Sequence, residues 1–112
     1  MSLEIGSWNV SNVDSNLSLD YDGFYNMFNG ATAFNQDISS WNLGNATSIR
    51  EMFTGATSFN QDISSWDVSN IVNMDIVFTN ITSFNQDLSS WDVSSVTNMS
   101  EMLTVPILLT KT

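Results

Sequence analysis

The sequence predicts an α/β repeat solenoid of about four coils, each with a short strand and a short helix. The first observation is the motif Phe-Asn-Gln-Asp-Ile-Ser-Ser-Trp, which fills 34–41 and 59–66 and returns with one Ile→Leu change at 84–91. The second is its spacing of 25 residues, because a fixed period of about 20 to 50 residues is typical of stacked repeats. The third is physical: one coil of this length cannot bury its own apolar side, so neighbouring coils must stack.

The whole chain, 1–112, is predicted to form a single domain. The coils that share the period cover about 4–33, 34–58, 59–83 and 84–103. The tail 104–112 departs from the pattern and is apolar, whereas natural arrays end in polar caps. We therefore expect the chain to be a piece of a longer array that self-associates through uncapped ends. The alternative is that the tail folds back as a cap.

Each coil is predicted to contain a strand-like Trp-x-Val step followed by one or two helical turns. The helical turns correspond to the stretch Asn-Met-x-x-Met-Phe-x-Gly-Ala. Ser48 and Asn98 precede this stretch and are candidate N-caps. Gly30, Gly55 and Asn80 follow it, at the place where a C-cap needs a positive φ.

Apolar residues that recur with the period are predicted to form one continuous core. A different interpretation of the tryptophans is a stacking platform for carbohydrate or peptide, but they recur in phase with Val and Ile, which favours the core. An asparagine after each Phe is predicted to bond backbone groups that the turns leave unpaired. The main columns are Trp8, Trp41, Trp66 and Trp91; Phe34, Phe59 and Phe84; Ile38, Ile63 and Leu88; and Asn35, Asn60 and Asn85.

An insertion of eight residues lies near 14–23, since 19 residues separate Trp8 from Met27 but only 11 separate Trp41 from Met52. The insertion reads as an acidic loop. Its side-chain oxygens alternate along the chain, and calcium prefers several oxygen ligands. The candidate metal ligands are Asp14, Asp20 and Asp22.

A second column of acidic residues admits two interpretations. Stacked carboxylates repel, and a calcium ion between them would relieve the repulsion. The simpler interpretation is that each carboxylate caps its own turn and points outward. The column consists of Asp37, Asp62 and Asp87. No other cofactor is predicted.

Composition excludes several functions. Twelve acidic residues oppose two basic ones, for a net charge of −10, so a nucleic-acid partner is not expected. The absence of His and Cys removes Ser-His catalysis and the usual zinc sites, and we expect no enzyme. Residues 1–30 lack the pattern of a signal peptide. No apolar run reaches the ~20 residues of a membrane span.

The repeat resembles a bacterial surface-protein repeat of about 25 residues, related to the BspA-like leucine-rich repeats. The resemblance rests on Met52-Phe53, Gly55-Ala56, Phe59–Trp66 and Phe84–Val93, and covers roughly 4–103. It implies a leucine-rich-repeat-like solenoid on secreted or surface-attached proteins, with an extracellular or cell-surface location. It also implies a role in adhesion or host interaction, and it brings no catalytic residues.

Two functional hypotheses remain. One is a non-catalytic scaffold, a segment of a surface adhesin that binds a protein or glycan ligand. The other is a structural spacer with no ligand of its own. The Phe–Trp half of each coil is nearly constant, whereas 42–57 and 67–82 vary. This difference favours a binding face on the variable half. An ice-binding face fits less well, because threonines do not fill one column in every coil.

Overall fold

Every coil in the described part of the chain is a succession of tight turns. The computed structural model describes residues 5–11 and 24–99. In the second coil, the backbone N–H of Trp41 donates to Ile38 (3.1 Å) and that of Ala46 donates to Leu43 (2.9 Å). The same three-residue closures return one period later, at Trp66 to Ile63 and Ile71 to Val68. Repetition of the sequence therefore produces repetition of the turns.

The prediction of an α/β, leucine-rich-repeat-like solenoid is wrong. None of the described residues belongs to a helix, and extended pairing is limited to isolated bridges, among them the parallel ones that join Ser48 to Asn73 and Asn73 to Asn98. These bridges also lie outside the Trp-x-Val step that was expected to form the strand. The coils instead pack into a compact body with a radius of gyration of 12.9 Å, close to the ~13 Å expected for a domain of this size.

The expected helix fails to form because its N–H groups alternate between two kinds of partner. Phe53 and Gly55 donate to Val77 and Thr79 of the next coil, at 3.2 and 2.9 Å. Thr54, between them, donates to Glu51 in its own coil at 3.4 Å. An α-helix requires every interior N–H to bond four residues back. Bonds between coils take half of these donors.

Two columns of left-handed residues reinforce this geometry. One column is the predicted set Gly30, Gly55 and Asn80, whose φ angles of 73°, 73° and 58° are positive as expected, although no helix ends there. The other was not predicted and consists of Asn26, Glu51 and Ile76, with φ of 62°, 57° and 59°. A residue with a positive φ interrupts a right-handed helix, so each of these stretches contains two positions at which a helix cannot continue.

The predicted core is confirmed in coils two to four. The rings of Phe34, Phe59 and Phe84 stack nearly parallel, with centroids 5.6 and 5.8 Å apart. Ile38, Ile63 and Leu88 are fully buried, and Trp41, Trp66 and Trp91 are 3–4% exposed. The exception is Trp8, which is 57% exposed in the first coil. Phe24 is buried as well, although its place in the repeat was missed because it follows the insertion.

Candidate functional site

The described surface shows its largest chemical variation at one turn of each coil. We call this the variable face and define it as the residue pairs Tyr25-Asn26, Arg50-Glu51 and Asp75-Ile76. Their side chains are all partly or fully exposed. The backbone is nevertheless the same in these three coils, because the second residue of every pair has a positive φ. One backbone geometry thus carries three different pairs of side chains.

Hydrogen bonds between coils hold the variable face in register. The N–H of Asn26 donates to the carbonyl of Arg50 at 3.1 Å, and that of Glu51 donates to Asp75 at 3.0 Å. The turns that lead into the pairs are also fixed, since Ser48 Oγ accepts from the N–H of Arg50 at 3.3 Å. Ser48 therefore stabilises a turn and does not cap a helix.

Charged and aromatic groups on the variable face contact one another. The Arg50 guanidinium lies 5.5 Å from the centre of the Tyr25 ring, within the range of a cation–π interaction. Its Nη1 is 3.3 Å from Glu51 Oε2. Arg50 is held between an aromatic ring of the first coil and a carboxylate of its own coil. These two contacts fix the position of Arg50, the only cationic side chain in the described ranges.

The acidic column takes the turn-capping arrangement. Oδ1 of Asp37, Asp62 and Asp87 accepts the N–H of the serine two residues later, at 2.9, 3.0 and 2.9 Å. A second column does the same, with Asp67 and Asp92 accepting from Ser69 and Ser94 at 3.0 Å each. These five carboxylates are exposed on their turns. The capping interpretation is therefore confirmed.

These turns lower the pKa of the five carboxyl groups below 3.8. For Asp37, Asp62, Asp67 and Asp92 the main cause is a hydrogen bond from the serine side chain, followed by one from its backbone N–H. For Asp87 the backbone bond comes first. Repulsion from a neighbouring carboxylate opposes the pKa shift at Asp62 and Asp67.

Acid is expected to weaken the fold through these turns. A carboxyl group whose pKa is lower in the folded state contributes stability above 3.8, and loses it as the pH falls through the folded value. Replacing all five aspartates with asparagine should reduce the loss of stability at low pH. Asparagine can still cap these turns without titrating, since the amide oxygen of Asn42 already caps the equivalent turn, 2.8 Å from the N–H of Gly44. Urea unfolding from about pH 6 down to pH 2 measures the effect. An equal loss of stability at low pH in the wild type and in the variant would refute this prediction.

The asparagine column bonds backbone groups of the next coil, as predicted. Asn35 Oδ1 accepts from the N–H of Asn60, and Asn60 Oδ1 accepts from that of Asn85, both at 2.8 Å. Glutamine adds to this ladder, since Gln61 Nε2 donates to Asn35 Oδ1 at 3.0 Å. The column is exposed, but the amide oxygens of Asn35 and Asn60 accept from backbone and glutamine N–H groups of the next coil, so these side chains hold the coils together.

The tryptophans of the later coils are not a binding platform. Their rings are buried, and each Nε1 donates to a carbonyl of the preceding coil: Trp41 to Ile5 at 2.9 Å and Trp66 to Ile38 at 3.0 Å. The same bond joins Trp91 to Ile63 at 3.0 Å.

The candidate calcium ligands Asp14, Asp20 and Asp22 lie outside the described residues, so calcium binding there stays a prediction. Within 5–11 and 24–99, no three acidic, His or Cys side chains are grouped so that they could hold a metal ion. In the same ranges, no helix has the length and hydropathy needed to cross a membrane.

Comparison with known proteins identifies a family. No curated protein and no solved structure matches the chain significantly. A family model described as "Mycoplasma protein of unknown function, DUF285" matches residues 1–107, which is nearly the entire chain. The periodic motif and the stacked turns both lie within the matched residues. The protein therefore belongs to the DUF285 family.

Proposed function

We propose that the protein is a non-catalytic interaction scaffold whose variable face binds a protein partner. The observation that carries the proposal is the change from Tyr-Asn to Arg-Glu to Asp-Ile on one repeated backbone. The nearby column of Phe28, Phe53 and Phe78 does not change, and its rings stack 5.7 and 6.0 Å apart. Structural needs account for the constant columns, and recognition accounts for the varying one.

The cost of this arrangement supports a recognition role. Ile76 is β-branched and adopts φ 59°, a region that such residues rarely occupy. Backbone strain of this kind costs on the order of 1–3 kcal/mol and is concentrated at functional sites. Glycine or asparagine would avoid the cost, as Asn26 does two coils earlier in the same column. A partly exposed isoleucine retained there is consistent with a contact made by its side chain.

The chemistry of the face favours a protein ligand over a glycan. Tyrosine and arginine are enriched in protein–protein interfaces, and Tyr25 and Arg50 are adjacent here. A glycan site would be favoured by an exposed aromatic platform, but Trp41, Trp66 and Trp91 are buried, and the exposed Trp8 is not part of the variable face. The absence of His and Cys from the sequence supports the non-catalytic part of the proposal.

A photo-crosslinking experiment tests the proposal. Benzoylphenylalanine replaces Tyr25 in one protein and the exposed Ser83, which is outside the variable face, in the control. Both are incubated with surface extracts of cells, and crosslinked partners are identified by mass spectrometry. We expect a partner that is captured from position 25 and not from position 83. Identical capture patterns would contradict the assignment of the face.

The affinity of the captured partner then gives a quantitative prediction. Arg50→Ala/Glu51→Ala removes one charge of each sign, so the net charge of −10 is unchanged. We expect the Kd to rise at least tenfold, about 1.4 kcal/mol or more. Ser83→Ala should leave the Kd unchanged. An unchanged Kd for the double variant would show that binding does not use the Arg50-Glu51 pair.

The second candidate function is a structural spacer. It is favoured by the constant half of each coil and by the ladder from Asn35 through Asn60 to Asn85, neither of which requires a ligand. An extracellular or cell-surface location belongs to this proposal as well, and its support is the resemblance to surface-protein repeats. A spacer would give no position-specific crosslinks from Tyr25, so the experiment above separates the two functions.

A further inference from the structure

One exposed dipeptide combines a side-chain amide with an unhindered backbone nitrogen. Asn29-Gly30 is the single place in the sequence where glycine follows asparagine. Both residues are exposed, and the Asn29 side chain makes no hydrogen bond within the described ranges. Asparagine is a thermolabile residue. Glycine has no Cβ to keep its nitrogen away from the preceding side chain. The dipeptide therefore places an electrophilic amide carbon beside a nitrogen that can attack it.

The fold does not require asparagine at this position of the repeat. Thr54 precedes Gly55 in the second coil, and Thr79 precedes Asn80 in the third. The backbone is nevertheless shared, since Gly30 and Gly55 both have φ 73° and donate their N–H groups to the next coil at 2.8 and 2.9 Å. The turn forms equally well with threonine, so the reactive amide is an addition to it.

Stacking of the first coil on the second withholds the backbone nitrogen. The N–H of Gly30 donates to the carbonyl of Thr54 at 2.8 Å, and the N–H of Phe28 donates to that of Met52 at 2.9 Å. The amide proton must leave before the nitrogen can attack, and a hydrogen bond between coils keeps this proton from solvent base. The reaction thus requires local opening of the coils, as hydrogen exchange of a protected amide does.

We propose that Asn29 is a self-modification site that the interface between the first two coils keeps closed. When the interface opens, hydroxide removes the Gly30 amide proton and the nitrogen attacks Cγ of Asn29. The N–Cγ bond forms, the Cγ–Nδ2 bond breaks, and ammonia leaves after taking a proton from water. Water then opens the cyclic imide at either carbonyl, which yields aspartate or isoaspartate and adds a negative charge.

The isoaspartate product prevents the interface from closing again. Its backbone runs through Cβ and Cγ, which adds a methylene between Phe28 and Gly30. The bonds from these two residues to Met52 and Thr54 then no longer form in register. Opening allows the reaction and its product keeps the coil open, so the modification proceeds in one direction.

The same segment carries the first pair of the variable face. The N–H of Asn26 donates to Arg50 at 3.1 Å, and the centre of the Tyr25 ring lies 5.5 Å from the Arg50 guanidinium. Release of the segment would separate these groups and withdraw the pair from the face. This regulatory consequence rests on the proposed function, whereas the modification itself does not.

Peptide mapping of the full chain by mass spectrometry, during incubation in mildly alkaline buffer, measures the reaction. We expect Asn29 to deamidate about tenfold or more slowly in folded than in urea-unfolded protein, an opening free energy of about 1.4 kcal/mol or more. Trp41→Phe removes the indole bond to Ile5 of the first coil, 2.9 Å long, and should speed the reaction. The matched control is Trp91→Phe, which removes the same bond to Ile63 at 3.0 Å and should have a smaller effect.

Two variants of the site itself complete the test. Asn29→Thr introduces the residue that the later coils use and should abolish the modification while the protein stays folded. Asn29→Asp adds the charge without the methylene, so it should lower the melting temperature less than the purified isoaspartate form does.

Equal deamidation rates in folded and unfolded protein would overturn the proposal, and so would equal acceleration by Trp41→Phe and Trp91→Phe. An isoaspartate form that melts like the unmodified protein would refute the one-directional step. None of these measurements requires a partner of the variable face, so they succeed or fail independently of the proposed function.

Discussion

Replacing Trp66 with alanine is expected to lower the free energy of unfolding by about 3–5 kcal/mol. The side chain is 4% exposed, and its ring stacks 6.5 Å from Trp91 and 6.2 Å from Phe53. Its Nε1 donates to the carbonyl of Ile38 at 3.0 Å. Alanine would leave a cavity between coils and remove this bond. Since small domains are stable by about 5–15 kcal/mol, the loss approaches the whole stability of the fold.

Trp8 supplies the matched control for this measurement. It occupies the same position in the repeat but is 57% exposed, so Trp8→Ala should cost less than about 1 kcal/mol. Trp66→Phe should fall between the two, because it keeps most of the apolar contact and leaves one buried carbonyl without its indole donor. Urea unfolding of dilute protein compares the variants. Equal losses for Trp66→Ala and Trp8→Ala would mean that burial between coils is not what stabilises the tryptophan.

The second large effect is expected at Gly55, where valine should cost about 2–3 kcal/mol. Gly55 has φ 73°, and its N–H donates to Thr79 of the next coil at 2.9 Å. A β-branched residue resists this left-handed conformation. Leaving the conformation would break the bond between coils. A Cβ alone would meet only ordinary contacts, 3.6 Å from the Cα and N of Gly30, so backbone strain should dominate.

The reverse substitution is available in the third coil. Ile76 has φ 59°, and Ile76→Asn replaces a strained β-branched residue with one that tolerates this region, as Asn80 does at φ 58°. We expect a gain of about 0.5–1 kcal/mol, the strain relief being partly offset by lost apolar contact. Thermal and urea unfolding measure both changes. If neither Gly55→Val nor Ile76→Asn changes the free energy of unfolding, the positive φ angles carry no energetic cost.

The stacking of coils and the identity of their core follow from the period of 25 residues. Identical segments in adjacent coils place Phe59 beside Phe34 and Phe84, whatever local structure joins them. The positive φ at Gly30 and Gly55 and the capped turns at Asp62 were also predictable, because these are local preferences of glycine and aspartate. Phe24 escaped notice because it directly follows the insertion, although it lies 25 residues before Ile49 and belongs to the same column.

The secondary structure was not predictable in the same way. The spacing of apolar residues from Met74 to Ile81 suits a short helix, but Met74 donates to Asn98 in the next coil at 2.8 Å. Such bonds join residues 24 positions apart, and no local pattern in the sequence reports them. These bonds use every second backbone N–H, which a helix would need for its own hydrogen bonds. The left-handed Glu51 and Ile76 were missed for a related reason, since neither residue type prefers a positive φ.

The four tryptophans show which structural properties are set by the local sequence and which by tertiary contacts. Each follows a tripeptide of one aliphatic residue and two small residues, Ile-Gly-Ser, Ile-Ser-Ser or Leu-Ser-Ser, which specifies a turn in every coil. The N–H of Trp8 donates to Ile5 at 3.0 Å just as Trp66 donates to Ile63 at 3.1 Å. Burial, however, requires a second surface. Trp66 is covered because the coils on both sides contact it, whereas Trp8 has a described coil on one side only. Turn formation is a local property of the chain, but whether a turn residue becomes core depends on what stacks against it.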